Sequence, residues 1–371
     1  MFTFDVSTAA LFDERGRQFA AWGIPESLVA RARAAISTMW GTGPGTWVTE
    51  WGRLAQEAER SDRLLLAAQL WGAARFPSLA TDERVAAHKE QLRCYLQASA
   101  RFPVEFRRRA VELPVGGAVG DLMVHEFARR GRRRPGVLLM SGGVDTWKIE
   151  IHRMALATAK VTGLKVVAVD MAGTGENPLP LSPDADVQLA ALIRVLRAEH
   201  PGEPVLSFGL SFGGHWSVKL AARRLVDGAV AIGGPTGAAG EHANPLDFPY
   251  GMAGIAGNAM GLDRLPDERT AAELLDGYSL RRQGLLDGDR APLLAINGDR
   301  DQYVPYDDTA ALAGPPDTSV WIVRDATHCA AEFFRPVLVG TWGWMRARTG
   351  GSAFVENALR VPSRRRVLVP S

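Results

Sequence analysis

The segment 209–213 reads Gly-Leu-Ser-Phe-Gly and therefore has the form Gly-x-Ser-x-Gly around Ser211. In the nucleophile elbow, which has this form, a sharp turn between a strand and a helix exposes the serine hydroxyl. The flanking glycines leave room for a backbone that a Cβ atom would obstruct. A serine hydroxyl is a poor nucleophile at neutral pH, so it needs a base within hydrogen-bond reach and a third group that orients this base.

An acid and a histidine stand directly after two later apolar runs. Asp299 and Asp301 follow the run 293–296, and His328 follows the run 320–323. Catalytic groups of a parallel α/β sheet come from loops at the carboxyl ends of its strands, so both positions suit a catalytic triad. The order serine, aspartate, histidine is that of the α/β-hydrolases. Asp301 is favoured because it fits the spacing Gly-x-x-Asp-x-x-Val-Pro, and Asp299 is the alternative.

The negative charge that develops on a carbonyl oxygen during attack requires preorganised N–H donors. Phe212, the residue after the predicted nucleophile, is expected to supply one backbone N–H. The second is expected from the loop 141–145, where small residues let the backbone approach a substrate. Val144 is favoured for this second donor, and Gly143 is the alternative.

These residues need a scaffold of short strands. Continuous apolar runs of strand length, typical of strands buried on both faces, recur from residue 137 onward and follow two earlier strand patterns. Helical segments lie between or after them, which predicts an α/β fold with a mainly parallel sheet of about eight strands. The predicted strands are 110–115, 122–127, 137–140, 166–169, 205–208, 229–232, 293–296 and 320–323.

The sequence predicts a helical N-terminal cap domain at 1–107 and a core domain at 108–350, followed by a C-terminal tail at 351–371. Apolar residues at helical spacing mark the cap. No convincing strand occurs in 234–290, so we expect a lid insertion over the carboxyl edge of the sheet there, after the sixth strand. The helices predicted for the cap are 26–39, 46–61, 63–74 and 81–100.

The composition of the chain argues against several classes of function. Of 371 residues, 46% are hydrophobic and 23% charged, and the formal net charge is +2, which gives no electrostatic case for a nucleic-acid or membrane partner. Cys94 and Cys329 lack the spacing of a disulfide framework or a zinc site. With no leader pattern or long apolar run, a cytoplasmic protein is expected. No nucleotide or metal motif is present, so we predict neither cofactor nor metal.

The loop after the third predicted strand carries a family resemblance. Residues 141–150 read Ser-Gly-Gly-Val-Asp-Thr-Trp-Lys-Ile-Glu, which resembles the Gly-Gly-x-Asp-Ser/Thr-x-Lys-x-Glu/Asp signature of the FrsA-like branch of α/β-hydrolases. The resemblance extends over about 45–345 and is strongest at this loop, at 170–175 and at the elbow. It implies an active site covered by the helical cap and the insertion together, and a homodimer. Members of this branch include enzymes that cleave a carbon–carbon bond beside a ketone with the same triad.

The residues and the resemblance together predict a serine hydrolase of a small molecule. We expect His328 to deprotonate Ser211 and Asp301 to orient His328. The favoured reactions are carbon–carbon cleavage of a 1,3-diketone and hydrolysis of an ester, in a polyketide or aromatic secondary metabolite; a thioester is also open. The alternatives are an acyl transferase or cyclase with the same triad, and a non-catalytic ligand-binding protein on the same fold.

A further set of residues is predicted to contact the substrate. Two of them, Asp145 and Lys148, occupy signature positions, and for these two we expect support of the oxyanion loop as readily as contact with the substrate. Another lies about thirty residues after the nucleophile, where a relative in this branch carries a functional acid, and the aromatic ones suit a pocket wall. These residues are Asp145, Trp147, Lys148, Glu241 and Tyr303.

Overall fold

The apolar runs of the sequence form one sheet in the computed structural model, and within the described residues this sheet has nine strands. The described residues are 1–115, 118–131, 135–239, 245–351 and 367–368. The strands are β1 (Glu105–Val115), β2 (Ala118–Ala128), β3 (Val137–Ser141), β4 (Lys165–Val169), β5 (Val205–Leu210), β6 (Gly228–Ile232), β7 (Leu293–Gly298), β8 (Thr318–Val323) and β9 (Val367–Leu368).

The sheet is mostly parallel, as the sequence predicts. Its order is β1-β2-β4-β3-β5-β6-β7-β8-β9, and all neighbours from β4 to β8 pair in parallel. The hairpin β1-β2 and the short β9 pair antiparallel. All eight predicted strands are present. The ninth, Val367–Leu368, lies in the segment predicted as a tail, and its two residues are too few to give a strand pattern in the sequence.

Helices precede the sheet, cover both its faces and follow β8. Within the described residues, none of them is long and apolar enough to cross a membrane. They are α1 (Thr8–Trp22), α2 (Glu26–Ala35), α3 (Trp47–Arg60), α4 (Leu64–Arg75), α5 (Asp82–Ser99), α6 (His152–Thr162), α7 (Asp186–Glu199), α8 (Phe212–Ala222), α9 (Met252–Ala259), α10 (Glu268–Gly277), α11 (Tyr306–Ala310) and α12 (Phe334–Arg348).

The helix α1 is absent from the sequence-based helix predictions. Its buried face includes Leu11, Phe12, Phe19 and Trp22, which recur at helical spacing. Arg15 occupies a position within this buried stripe, and a charged residue there interrupts the apolar pattern that identifies a helix. The interruption has a structural reason, because Arg15 contacts the candidate active site.

Alternating strand residues divide the core into two clusters. Leu138 and Met140 of β3 belong to a cluster that also contains the buried residues of α1 to α5. Val137 and Leu139 point to the opposite face, where they join the cluster of α7 and α8. The N-terminal helices therefore share one hydrophobic core with the sheet. The division at residue 107 stays a prediction, and β1 begins slightly before it, at Glu105.

The segment between β6 and β7 contains α9 and α10. The N-terminal residues hold α9 from outside, because the backbone N–H of Phe2 donates to Asn258 Oδ1 at 2.9 Å and Asn258 Nδ2 donates to the Phe2 carbonyl at 2.9 Å. The Phe4 ring occupies the space beside Gly254, where a Cβ atom would lie 2.2 Å from Phe4 Cγ. This packing fixes α9 relative to the N-terminal segment.

Candidate active site

Ser211 lies between β5 and α8 with φ 53° and ψ −127°, a conformation that L residues rarely adopt. Its N–H donates to the Ile232 carbonyl at the end of β6, with a distance of 2.7 Å. A Cβ atom on Gly209 would lie 1.9 Å from the Gly213 carbonyl oxygen, so this position requires glycine. The motif and the backbone therefore agree on a nucleophile elbow.

Strand pairing brings the glycine-rich loop beside the elbow. Ser141 at the end of β3 pairs with Gly209 of β5, and the chain continues from each strand at the carboxyl edge of the sheet. Gly143 consequently lies against Ser211, and a Cβ atom on Gly143 would be 2.8 Å from Ser211 Cβ and 3.0 Å from Ser211 Oγ. Only a residue without a side chain leaves the serine hydroxyl free at this position.

His328 links Ser211 to Asp301. Its Nε2 lies 2.9 Å from Ser211 Oγ, and its Nδ1 lies 2.7 Å from Asp301 Oδ2. The other carboxylate oxygen of Asp301 accepts the backbone N–H groups of Tyr303 and Val304, at 2.7 and 3.1 Å. These contacts make a continuous hydrogen-bonded chain from a fixed carboxylate to the serine hydroxyl.

The alternative acid, Asp299, does not take part in this chain. Its backbone N–H donates to the Val323 carbonyl at 3.1 Å and thereby continues the pairing of β7 with β8. Asp301 is the carboxylate that the structure brings to His328. The spacing that favoured Asp301 in the sequence thus corresponds to the observed contact.

The charges of Asp301 and His328 depend on each other. Burial by itself would raise the pKa of Asp301, but the adjacent His328 and the two backbone N–H donors outweigh burial and lower it. Burial would lower the pKa of His328, and the Asp301 carboxylate outweighs it and holds this pKa well above the ordinary value. The carboxylate therefore stabilises a positively charged His328, which is the state that proton transfer from a serine would produce.

A second histidine lies near the elbow but has another role. His215 on α8 is fully buried, and its Nδ1 lies 2.8 Å from the Pro235 carbonyl oxygen. Burial lowers its pKa to about 4, so it is neutral at physiological pH. His215 thus connects α8 to the chain after β6.

The oxyanion donors predicted from the sequence surround Ser211. Phe212 is the first residue of α8, so its N–H belongs to the positive end of the helix dipole. Val144 and Gly143 follow β3 on the other side of the serine and line different cavities. The choice between them stays a prediction.

The close approach of Gly143 to Ser211 gives a test of the loop. We expect Gly143→Ala to lower kcat/KM by about 100-fold, because a displacement of about 1 Å at a reacting group has an effect of this size. The matched control is Gly16→Ala in α1, where a Cβ atom would meet nothing within 4 Å. Unchanged steady-state kinetics in Gly143→Ala would show that the loop does not constrain Ser211.

The loop is held from behind by Trp147 and Lys148. Trp147 Nε1 donates to the Val144 carbonyl at 3.1 Å, and the Arg75 guanidinium lies 3.4 Å from the centre of the indole ring. Lys148 is 1% exposed and forms ion pairs with Asp170 and Glu176. Neither residue is among the described residues that line the cavities at Ser211, and the contacts of both support the loop. Substrate contact by either residue stays a prediction.

The helix α1 contacts the same loop through Arg15. Arg15 Nη2 lies 3.0 Å from Asp145 Oδ2, and Arg15 Nε lies 2.6 Å from Glu14 Oε2. The Tyr303 hydroxyl donates to Glu14 Oε1 at 3.1 Å, and the Tyr303 ring packs edge-on against His328. One buried network therefore connects α1, the loop after β3 and the loop that carries Asp301. Sequence reasoning missed Glu14 and Arg15.

We expect Arg15→Met to lower the free energy of unfolding by about 3–5 kcal/mol, because it leaves the buried Asp145 carboxylate without its cation. The control is Arg17→Met, since the Arg17 side chain is 76% exposed and its pair with Glu332 is a surface one. For this control we expect less than about 1 kcal/mol. Urea unfolding of the three proteins measures both values, and equal losses would contradict the role of Arg15.

Two cavities meet at Ser211 and His328, which line both. The first, called the lid cavity, has a volume of about 160 Å³, and α9 and α10 form much of its wall. The second, called the α1 cavity, has a volume of about 620 Å³ and is lined by α1, the loop after β3 and residues next to His328. The serine thus lies at the junction of two binding spaces.

The structure divides the predicted substrate contacts. Tyr303 lines the lid cavity and Asp145 lines the α1 cavity. Both belong to the network of Arg15 and Glu14, so each has a positioning contact as well. Glu241 lies outside the described residues.

A family model described as Esterase FrsA-like matches residues 31–319. Esterase FrsA of Serratia proteamaculans is 27% identical over 302 residues, which cover 75% of this chain and 71% of the relative. Esterase FrsA of Yersinia enterocolitica is 25% identical over 331 residues, which cover 82% of this chain and 77% of the relative. The residues that the family model matches include the elbow, the loop after β3 and the segment that carries Asp301.

Solved structures show the same fold over nearly the whole chain. AbyA5 aligns with a TM-score of 0.81 at 22% identity, covering 96% of this chain and 99% of AbyA5. The 2,6-dihydroxy-pseudo-oxynicotine hydrolase aligns with a TM-score of 0.70 at 18% identity, covering 96% of this chain and 98% of that protein. The α/β-hydrolase fold that the sequence predicts is confirmed.

Proposed function

The chain belongs to the FrsA-like esterase family and is an α/β-hydrolase, and on this basis we propose that it is a serine hydrolase with Ser211, His328 and Asp301 as its triad. The observation that carries the proposal is the hydrogen-bonded chain from Asp301 through His328 to Ser211, with distances of 2.7 and 2.9 Å. A protein that only binds a ligand has no need for this arrangement on a strained elbow.

In the proposed reaction, Ser211 Oγ attacks the substrate carbonyl carbon while His328 Nε2 accepts the serine proton. Asp301 stabilises the resulting imidazolium, and the N–H of Phe212 with that of Val144 or Gly143 stabilises the oxyanion. His328 then gives the proton to the leaving group, and an acyl-serine remains. Water, deprotonated by His328, attacks the acyl-serine and releases the acid, which restores the enzyme.

The bond cleaved is an ester or the carbon–carbon bond of a 1,3-diketone, in a polyketide or aromatic metabolite. The esterases in the family support the first, and the ketone-cleaving enzymes of the resembling branch support the second. In the second case the leaving group is an enolate, which His328 protonates at carbon. Mass spectrometry of products from an ester panel and a 1,3-diketone panel separates the two, because only the diketones yield an acid together with a ketone.

Acyl transfer on the same triad is the second reaction to consider. The charged side chains in the wall of the α1 cavity and the size of this cavity favour water as the acceptor, since a roomy space with polar groups is readily hydrated. Turnover in H₂¹⁸O tests this. Hydrolysis places one ¹⁸O atom in the released acid, whereas a transferase gives an unlabelled acyl product joined to an acceptor.

The substrate is proposed to be a small molecule, and the enzyme a cytoplasmic homodimer that needs no cofactor or metal. Cys94 and Cys329 are both free and buried, which supports a reducing compartment. The homodimer rests on the family resemblance. Light scattering after size-exclusion chromatography measures the assembly, and a mass of twice 40.1 kDa is expected.

A further inference from the structure

The two cavities at Ser211 differ in chemistry as well as in size. The wall of the lid cavity is formed mainly by apolar side chains, among them Leu246, Phe248, Met252, Ala256, Leu274 and Leu275. The free energy of an apolar group falls when it moves from water into such a space, whereas a charged group loses its hydration there, which is unfavourable. The lid cavity therefore selects an apolar part of the substrate.

Among the described residues of the lid cavity wall, Asp308 is the one carboxylate, and it already has its partners. Its Oδ2 accepts the backbone N–H of Thr236 at 2.7 Å and the Thr236 hydroxyl at 3.2 Å, while Oδ1 accepts the N–H of Ala239 at 3.3 Å. Asp308 thus fixes the chain after β6 to α11. Because both carboxylate oxygens of Asp308 accept hydrogen bonds from the protein, the apolar side chains determine which groups bind in this cavity.

The wall of the α1 cavity contains several charged side chains among apolar ones. Arg15 with Asp145 and Arg17 with Glu332 are ion pairs that line it, and Arg153 and Arg300 lie there as well. Its volume of about 620 Å³ is roughly four times that of the lid cavity. This space suits a polar group that keeps hydrogen bonds to protein or to water.

The surroundings of His328 indicate which cavity holds the leaving group and which holds the acyl group. Thr327 and Cys329, the neighbours of His328, line the α1 cavity and not the lid cavity. On the lid side, the Tyr303 ring packs edge-on against the imidazole with centres 5.1 Å apart. Because His328 must give a proton to the leaving group, the leaving group belongs in the α1 cavity. The acyl group then occupies the lid cavity.

The volume of the lid cavity limits the acyl group. An apolar cavity of about 150 Å³ in another protein holds one benzene molecule, and the lid cavity is of the same size, about 160 Å³. Its wall at α9 is held from outside by Phe2 and Phe4, which opposes enlargement. We propose that the enzyme prefers substrates with an apolar acyl group of about six carbons, linear or aromatic, and a larger polar leaving group. This inference rests on the proposed serine hydrolase function.

The test uses monoesters of diethylene glycol, whose leaving group is polar and not aromatic, with straight acyl chains from acetyl to dodecanoyl. Hydrolysis is followed by acid release in a pH-stat. For the wild type, kcat/KM is expected to rise at least about fourfold for each added methylene. The rise should stop near about six carbons, where the cavity is full, and kcat/KM should fall for longer chains.

Variants of the lid test the assignment in both directions. Ala256→Leu fills part of the lid cavity, so the ratio of kcat/KM for hexanoyl to acetyl esters should fall at least about tenfold. Leu274→Ala enlarges the cavity and should move the optimum to longer chains. Ala272→Leu is the matched control, because Ala272 is exposed and lies on α10 beside the cavity-lining Ala271. The control should keep the wild-type optimum.

Some outcomes would overturn the inference while leaving the proposed function intact. They are an optimum that neither lid variant moves, and an optimum that instead follows Ala21→Leu in the α1 cavity. If the wild type hydrolyses none of the esters, the rate at which n-alkyl phosphonofluoridates modify Ser211 gives the same length profile. Failure of both ester hydrolysis and Ser211 modification would overturn the serine hydrolase proposal itself.

Discussion

Ser211→Ala is expected to lower kcat by about a millionfold, which is the size of effect seen when a triad serine is removed from another serine hydrolase. The alanine lacks the oxygen that forms the acyl-serine, so only binding and oxyanion stabilisation remain. Ser217→Ala is the matched control, because Ser217 lies on the helix that begins directly after Ser211 and its hydroxyl oxygen lies 2.7 Å from that of Ser207. Initial rates with the best ester or diketone of the panels measure both variants.

A loss of less than about tenfold in Ser211→Ala would contradict nucleophilic catalysis at this residue. An equal loss in Ser217→Ala would indicate that the elbow is merely sensitive to packing. Ser211 is the residue directly before α8 and Ser217 lies within this helix, so a general disturbance of the helix affects both.

Asp301→Asn is expected to lower kcat by about 10,000-fold while the protein stays folded. The amide cannot stabilise the imidazolium of His328, and its NH₂ group favours the wrong tautomer of the ring. Asp299→Asn is the control in the same loop, since Asp301 and not Asp299 contacts His328. If kcat falls no further in Asp301→Asn than in Asp299→Asn, the third position of the triad belongs to neither residue.

The same substitution should shift the pH dependence of the residual activity. His328 accepts the serine proton only when it is neutral, so kcat/KM rises as pH increases through the pKa of His328. The Asp301 carboxylate raises this pKa, and its removal lowers it. The acidic limb of the profile should therefore move to lower pH in Asp301→Asn, and a shift to higher pH would contradict the assigned contact.

The sequence predicted the sheet, and it indicated the three candidate residues that the structure brings together, because both predictions depend on local signals. Buried strands appear as apolar runs, and Ser211, Asp301 and His328 each follow such a run at the carboxyl edge of the sheet. The parallel topology then brings together residues that lie far apart in the chain. This part of the prediction needed no knowledge of side-chain packing.

The contribution of α1 could not be predicted in this way. Arg15 interrupts the apolar stripe of its helix because it pairs with Asp145, more than a hundred residues later. The partners of Lys148 were hidden for a similar reason, since its signature position suits both a structural role and substrate contact, and its ion pair with Asp170 joins residues that are 22 positions apart. Such long-range partners are visible only in the folded chain.

The most direct test of the central claim is covalent labelling of Ser211 by a fluorophosphonate, followed by mass spectrometry of the peptides. The claim predicts modification of Ser211 in the wild type, and a rate at least about 100-fold lower in His328→Ala, because the general base contributes an effect of this size. Absence of label on Ser211, or an unchanged rate in His328→Ala, would contradict the claim that this hydrogen-bonded chain activates the serine.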